Sequence, residues 1–283
     1  MKYIKLTIIA LALTTTMSAQ TDFFGKFSPK AKNEKVINLP DKPNKTDGQG
    51  RKQGEWAKKY DNGQYTYTAR FVDGIPVDTV RRYYENGVIS TEQIYKSADS
   101  CFVISYGEDG KKEASGLYIK NQREGEWLTF DKSGDITSRE TYKGGQLNGK
   151  AYIYFAGGEV YDERNYTNGT LNGAWTQNFR GGGRQLEATY KNGQLNGRYR
   201  HWDIDGNLSV DGNYRNGIKT GDWRMYDSET KSHFTMKYDK DGNLTNSDEI
   251  EKNMSKKIDA AEKNSHLLTD PEMYVNSPED YRP

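Results

Sequence analysis

The sequence predicts an all-β protein: an elongated single-layer antiparallel sheet of about eight 24-residue β-hairpin repeats with a short C-terminal helix as cap. Three observations predict it. An octapeptide recurs every 24 residues, as YKGGQLNG at Tyr142 to Gly149, YTNGTLNG at Tyr166 to Gly173 and YKNGQLNG at Tyr190 to Gly197. A ring recurs in phase with it, at Phe71, Tyr95, Tyr118, Tyr142, Tyr166, Tyr190, Tyr214 and Tyr238. The composition is polar, with mean hydropathy -1.01 and 33% hydrophobic residues, yet 12% is aromatic and 29 residues are glycine. Disordered chains lack aromatics, whereas a thin sheet can draw its apolar area from a few large rings and its turns from glycine.

The first 19 residues stand apart. Lys2 and Lys5 precede the apolar run Leu6 to Leu13, and Met17-Ser18-Ala19 supplies small residues before Gln20, the pattern of a signal peptide cleaved after Ala19. The apolar run is shorter than the ~20 residues a membrane span needs, and nothing later is more apolar. Without Lys2 and Lys5 the formal net charge moves from +1 to -1, which is not the basic footprint of a nucleic-acid binder. Residues 20–50, rich in Lys, Asn and Pro, read as a linker.

Residues 51–245 read as the repeat domain. Units start at Gly54, Asp78, Cys101, Gly125, Gly149, Gly173, Gly197 and Gly221, with one step of 23 residues among steps of 24. Each unit resolves into two strands. The first carries Gly-x-Trp and a further ring, as in Gly125-Glu126-Trp127 with Phe130. An Asn/Asp-Gly loop such as Asn86-Gly87 follows, since that pair tolerates positive φ. The second strand alternates: Leu208, Val210, Gly212 and Tyr214 are small or apolar, and Ser209, Asp211 and Asn213 between them are polar, so one face is buried. Asn192-Gly193 or Asn216-Gly217 then turns the chain into the next unit. Stacking like hairpins sets each tyrosine beside the tryptophan of an adjacent strand at roughly 4.8 Å strand spacing. A repeat ladder cannot bury its own ends and needs caps.

The tail supplies one. Asn246 with Glu249 resembles a capping box, and Ile250, Met254, Ile258 and Ala261 follow at helical spacing, so an amphipathic helix is expected over residues 246–264. Residues 265–283, with Pro271, Pro278 and Pro283, read as an extended tail.

Units such as NGQLNGRYRHWDIDGNLSVDGNY, Asn192 to Tyr214, resemble the bacterial MORN-repeat variant of the YwqK-like antitoxin family. The resemblance covers about Gly54 to Leu244, strongest from Gly125 to Tyr226 and weaker at Asp78 and Cys101, where the leading glycine and tryptophan are missing. It implies a ladder of hairpins acting as a scaffold or binding surface, with no catalytic residues to carry over. Cell-wall repeats of the choline-binding kind also join Gly-Trp to paired tyrosines, which makes a glycan the analogous alternative ligand.

Chemistry finds little footing. His201, His233 and His266 lack a metal-ligand spacing, so no metal and no cofactor is expected. The lone Cys101 cannot form an internal disulfide and reads as a structural thiol. Gly181-Gly182-Gly183 is followed by a strand pattern and reads as a hairpin turn, not a phosphate loop. Glu124, Glu126, Asp162 and Glu163 read as turn or polar-face residues, and no catalytic residue is assigned.

The candidate structural or binding residues are therefore aromatic: Trp56, Trp127, Trp175, Trp202 and Trp223, with Tyr142, Tyr166, Tyr190, Tyr214 and Tyr238. Covering the buried face is their expected first duty, a platform for sugars or peptides the rival one. The reading as a whole is an exported, non-enzymatic scaffold of the bacterial cell envelope, periplasmic, surface-bound or secreted, that binds a protein partner. A glycan or cell-wall module and an antitoxin or immunity protein are the alternatives. Neither a nucleic-acid partner nor a membrane span after signal cleavage is expected.

Overall fold

The computed structural model describes residues 39, 42–227, 231–248 and 250. Among them the chain forms one open antiparallel sheet of 19 strands. In order these are β1 (Lys45–Thr46), β2 (Lys52–Lys59), β3 (Tyr65–Val72), β4 (Ile75–Tyr83), β5 (Ile89–Ser97), β6 (Ser100–Tyr106), β7 (Lys112–Ile119), β8 (Gln122–Phe130), β9 (Ile136–Lys143) and β10 (Gln146–Tyr154). They continue as β11 (Val160–Thr167), β12 (Thr170–Leu171), β13 (Gly173–Asn178), β14 (Arg184–Lys191), β15 (Gln194–Leu195), β16 (Gly197–Trp202), β17 (Leu208–Arg215), β18 (Ile218–Asp227) and β19 (Ser232–Tyr238). Each pairs with its chain neighbours, so the sheet is a meander of hairpins with two strand positions per unit. The short β12 and β15 are the kinked starts of the strands continued by β13 and β16. β1 lies within the segment 20–50 that reads as linker; it pairs with β2, so the ladder begins before the first unit.

Two turns alternate. Inside a unit, Tyr60 N–H donates to Gln64 O (2.8 Å) and Gly63 N–H to Tyr60 O (3.0 Å), and the same pair of bonds recurs from Tyr84, Gly107, Asp131, Phe155, Phe179 and Asp203. Between units, Asn192 (φ 52°) and Gly193 (φ 81°) both take left-handed conformations, the two-residue hairpin turn whose twist matches the strands it joins. Successive between-unit turns are bonded together: Gly193 N–H donates to Leu171 O and Gly217 N–H to Leu195 O, each at 2.8 Å.

A kink follows each between-unit turn. Tyr190 faces Leu195, but Glu187 faces Arg200, so the register has slipped by two residues around Gly197, whose φ is 123°. The same slip lies before Gly125, Gly149, Gly173 and Gly221. At Asp78 a non-glycine residue takes φ 61° to make it. The unit led by Cys101 makes a shorter one: the register is constant from Thr91–Ser105 to Tyr95–Cys101, slips by one residue before Ser97–Ser100, and Ala98-Asp99 replaces the left-handed turn pair. The single 23-residue step is the trace of that one-residue slip.

Phe102, Ile104 and Leu128 are buried on one face of the sheet, but most of the apolar core lies on the other. Leu171, Trp175, Leu186, Ala188, Tyr190, Leu195, Tyr199, Val210, Trp223 and Met225 form its larger buried cluster, and Cys101, Val103 and Trp127 a smaller one. Of the helix expected over 246–264, the described residues include one backbone bond, Ile250 N–H to Asn246 O at 3.1 Å; the rest, and the tail 265–283, lie outside them.

Candidate functional site

Cross-strand partners share a face, so the pairing register sorts the candidate residues. Trp56, Trp127, Trp175 and Trp223, with Tyr142, Tyr166, Tyr190, Tyr214 and Tyr238, all fall on the core face. Trp202 does not. It follows Arg200 on the opposite face, where the Arg200 guanidinium stacks on it at 5.4 Å.

On the core face each tryptophan lies over the strand before it. Trp127 sits opposite Gly116 and Trp223 opposite Gly212, where an added Cβ would come 2.2 Å from the indole. Lying flat there, the Trp127 N–H donates to Leu117 O (3.1 Å) and the Trp223 N–H to Asn213 O (3.2 Å). Tyrosines close the rings in edge-on, Tyr118 against Trp127 and Tyr214 against Trp223, both at 4.9 Å. Such offset contacts suit the ring quadrupoles.

A cation or a leucine caps each ring cluster. Lys52 stands 4.5 Å over Trp56, Arg123 4.6 Å over Trp127 and Lys219 4.9 Å over Trp223. The equivalent positions hold Leu147, Leu171 and Leu195 in the units led by Gly149, Gly173 and Gly197, the last two buried, and Pro76 and Asp99 in the units led by Asp78 and Cys101. Basic side chains lay their methylene stems on rings and keep their charge at water. What this face presents outward is thus a layer of positive heads over buried rings, with Lys58 and Arg82 exposed on it as well.

Trp175 departs from the pattern. The residue opposite it on β11 is Arg164, too large for the indole to lie on the backbone, so its N–H donates to Asp162 Oδ2 instead (2.8 Å). Gln177 donates to the same oxygen (2.9 Å), and Arg164 Nε lies 2.8 Å from Asp162 Oδ1. The neighbouring carboxylate holds the Arg164 guanidinium charged despite its burial. Asp162 is 1% exposed, which corrects its assignment to a turn or polar face. The signal was present in the repeat: that offset holds Tyr67, Leu186, Val210 and Phe234 in other units, so a carboxylate there is out of place. Glu140, on the same face, accepts from the Tyr142 hydroxyl (2.8 Å), and burial together with that carboxylate pushes Tyr142 up to about 12.

The opposite face combines ion pairs, half-buried rings and, on β6 to β8, the buried Phe102, Ile104 and Leu128. Arg81–Glu92 and Arg200–Glu187 both close at 2.8 Å. Beside them run Tyr83, Tyr106, Phe130, Tyr154 and Trp202, each from a different unit, held by bonds such as Tyr106 O–H to Glu92 (2.9 Å).

Of the residues weighed for chemistry, His201 faces Leu186 and Val210, and burial pulls it below its ordinary value. His233 is on β19, and His266 lies outside the described residues. Burial raises the Cys101 thiol. Gly181 and Gly182 form the hairpin turn before β14. Among the described residues no group of three or more His, Cys, Asp or Glu could hold a metal ion, and no helix is long and apolar enough to cross a membrane.

The MORN repeat variant matches at two places, residues 79–97 and 123–143. Each is one hairpin of the ladder, β4 with β5 and β8 with β9, and the first belongs to the unit led by Asp78, where the resemblance in sequence is weaker. The matches mark the chain as carrying MORN repeats, which are repeat-based interaction modules. No curated protein matches. Solved structures that resemble parts of the chain include an S. aureus TarM mutant in complex with fondaparinux, alpha-GlcNAc-glycerol and UDP (10% identity, 50% of this chain, 21% of that one, TM-score 0.22). A second TarM structure (13%, 41%, 20%, 0.20) and a GtfA/B complex bound to UDP and GlcNAc (15%, 40%, 22%, 0.19) also do. The chain spans about a fifth of the length of each.

Proposed function

We propose that this chain is an exported, non-enzymatic scaffold of the bacterial cell envelope whose protein partner docks flat on the core face of the sheet. One observation carries the reading: this face runs without a break from Trp56 to Tyr238 and sets Lys52, Lys58, Arg82, Arg123 and Lys219 outward over its rings. Strand addition at an end, the other route by which sheets take partners, is disfavoured because the chain itself lies along β2, through β1 and Asn44, and along β19, through Leu244, Thr245 and Asn246. The partner that suits a row of cations is an acidic protein segment.

Immobilised chain should retain such a partner from envelope extracts, and the exposed double variant Lys58→Glu/Arg82→Glu should lose it. Equal recovery by parent and variant, or no recovery under mild conditions, ends this reading. Export is tested separately by the N-terminus of the native protein, expected at Gln20; an intact Met1 would rule it out.

A glycan ligand is the second reading, favoured by the half-buried ring row of the opposite face and by the stacked pair Tyr152 and Tyr154 (6.2 Å, 28°). Trp202 is in that row, so a sugar stacking there would change tryptophan fluorescence. No change across a glycan panel removes it.

A further inference from the structure

Apolar burial along the ladder is interrupted. The core face keeps its parity throughout, yet its buried residues fall into two clusters that share no member. Tyr142 on β9 packs against the cluster of Cys101, Val103 and Trp127, and Tyr166 on β11 packs against the one that contains Trp175 and Trp223. The strand between them belongs to neither. Leu147, Ala151 and Ile153 of β10 are half-buried, and none enters a cluster. Away from the ends, β9 and β10 are the one adjacent pair of described strands without a buried side chain.

The side chains explain the gap. At the tryptophan position the unit led by Gly149 holds Ala151, and opposite it, where Trp127 and Trp223 meet Gly116 and Gly212, stands Glu140. β10 thus has no ring to lay on β9. On its other side it faces Asp162 and Arg164, which are committed elsewhere: Asp162 pairs with Arg164 and accepts from Trp175 and Gln177 on β13. Across β10 run backbone pairing, the half-buried Tyr152 and Tyr154, and polar contacts at the surface, Thr141 Oγ1 donating to Lys150 O (2.9 Å) and Lys150 pairing with Glu163 (2.6 Å). Exposed ion pairs of that kind add little.

The stability of a repeat ladder is a sum of unit terms and nearest-neighbour interface terms, so units fold together only where the interfaces between them are strong. We infer that β10 is a joint: β2–β9 and β11–β19 are two cooperative blocks, and either can open while the other stays folded. The joint divides the core face by character as well. Lys52, Lys58, Arg82 and Arg123 lie on the first block, and the larger apolar cluster lies on the second.

Hydrogen exchange of the full chain under native conditions, read by mass spectrometry, tests this by damaging one block and watching the other. Trp223 is 1% exposed, so Trp223→Ala should speed the slowest amides of β13–β18 by about 100-fold or more. The slowest amides of β6–β8 should stay within about two-fold of the parent. Val103→Ala should do the reverse. Adding Glu140→Gly and Ala151→Trp to Trp223→Ala supplies the missing ring and the glycine it lies on, and the faster exchange should then spread into β6–β8. The inference is overturned if Trp223→Ala alone speeds β6–β8 as much as β13–β18, or if it abolishes protection along the whole chain. It is equally overturned if the folded triple variant still confines the damage to β13–β18, since the joint would then lie elsewhere. The two single variants decide the matter even if the triple variant fails to fold.

Discussion

The units led by Gly173 and Gly197 and the unit led by Cys101 cross from one hairpin to the next in different ways. In the glycine-led units the register slips by two residues, the strand kinks, and Leu171 and Leu195 pack into the larger core cluster beside Trp175 and Tyr199. In the Cys101 unit the register slips by a single residue, and Val103 takes the place of a ring in a cluster of three buried residues. A ring is not required for the full slip, since the units led by Asp78 and Gly149 make it with Val80 and Ala151 at the tryptophan position. Glycine here is not mere turn chemistry; at Gly173 and Gly197 its left-handed backbone carries the two-residue slip that sets Leu171 and Leu195 into the core.

The largest effect should come from the ring itself. Trp175 is 3% exposed and its N–H is committed to Asp162, so Trp175→Ala should cost about 3 to 5 kcal/mol in urea unfolding. Val103→Ala should cost less, having fewer atoms to lose; equal losses at the two sites would break the comparison.

Next come the leading residues, with opposite expectations. Gly197 sits at φ 123° and an added Cβ would touch the Thr189 side chain at 3.4 Å, so Gly197→Ala should cost about 1 to 2 kcal/mol. Cys101 needs no such backbone, so Cys101→Gly should destabilise as well, by about 0.5 to 1 kcal/mol from added chain freedom and more from lost burial. A glycine that stabilises position 101 would show that the shorter crossing is strained rather than relaxed.

The smallest effect should be a pH slope. Burial holds His201 below its ordinary 6.5, so the unfolded chain takes up a proton more readily than the folded one. Stability contributed by the neutral imidazole is present above about pH 6.5 and declines as pH falls towards the folded value. Denaturant midpoints of parent and His201→Gln should converge above that range and separate below it. Parallel curves would place the imidazole in water.

Much of this was readable beforehand because the repeat reports on local geometry many times over. Asn192-Gly193 announced a turn, Tyr190 and Tyr214 announced the buried parity, and the short step at Cys101 marked the one crossing that differs. Asp162 and Arg164 were legible only as misfits, since their partners Trp175 and Gln177 come from the next strand through a slipped register. Asn246 resembles a helix cap, and its side chain also serves Thr235 and Lys237, a contact set by the edge of β19 and invisible in a linear pattern. Trp202, grouped with the other tryptophans by residue type, lies on the other face because strand parity outranks chemistry.

Period, strand parity and turn type follow from the chain alone, because each depends on residues a few positions apart and is repeated often enough to be read. The burial of a carboxylate among rings, the stacking of cations over indoles and the closing of both edges were settled by folding. These depend on which residue a neighbouring strand brings opposite, and a slip at each crossing resets that pairing.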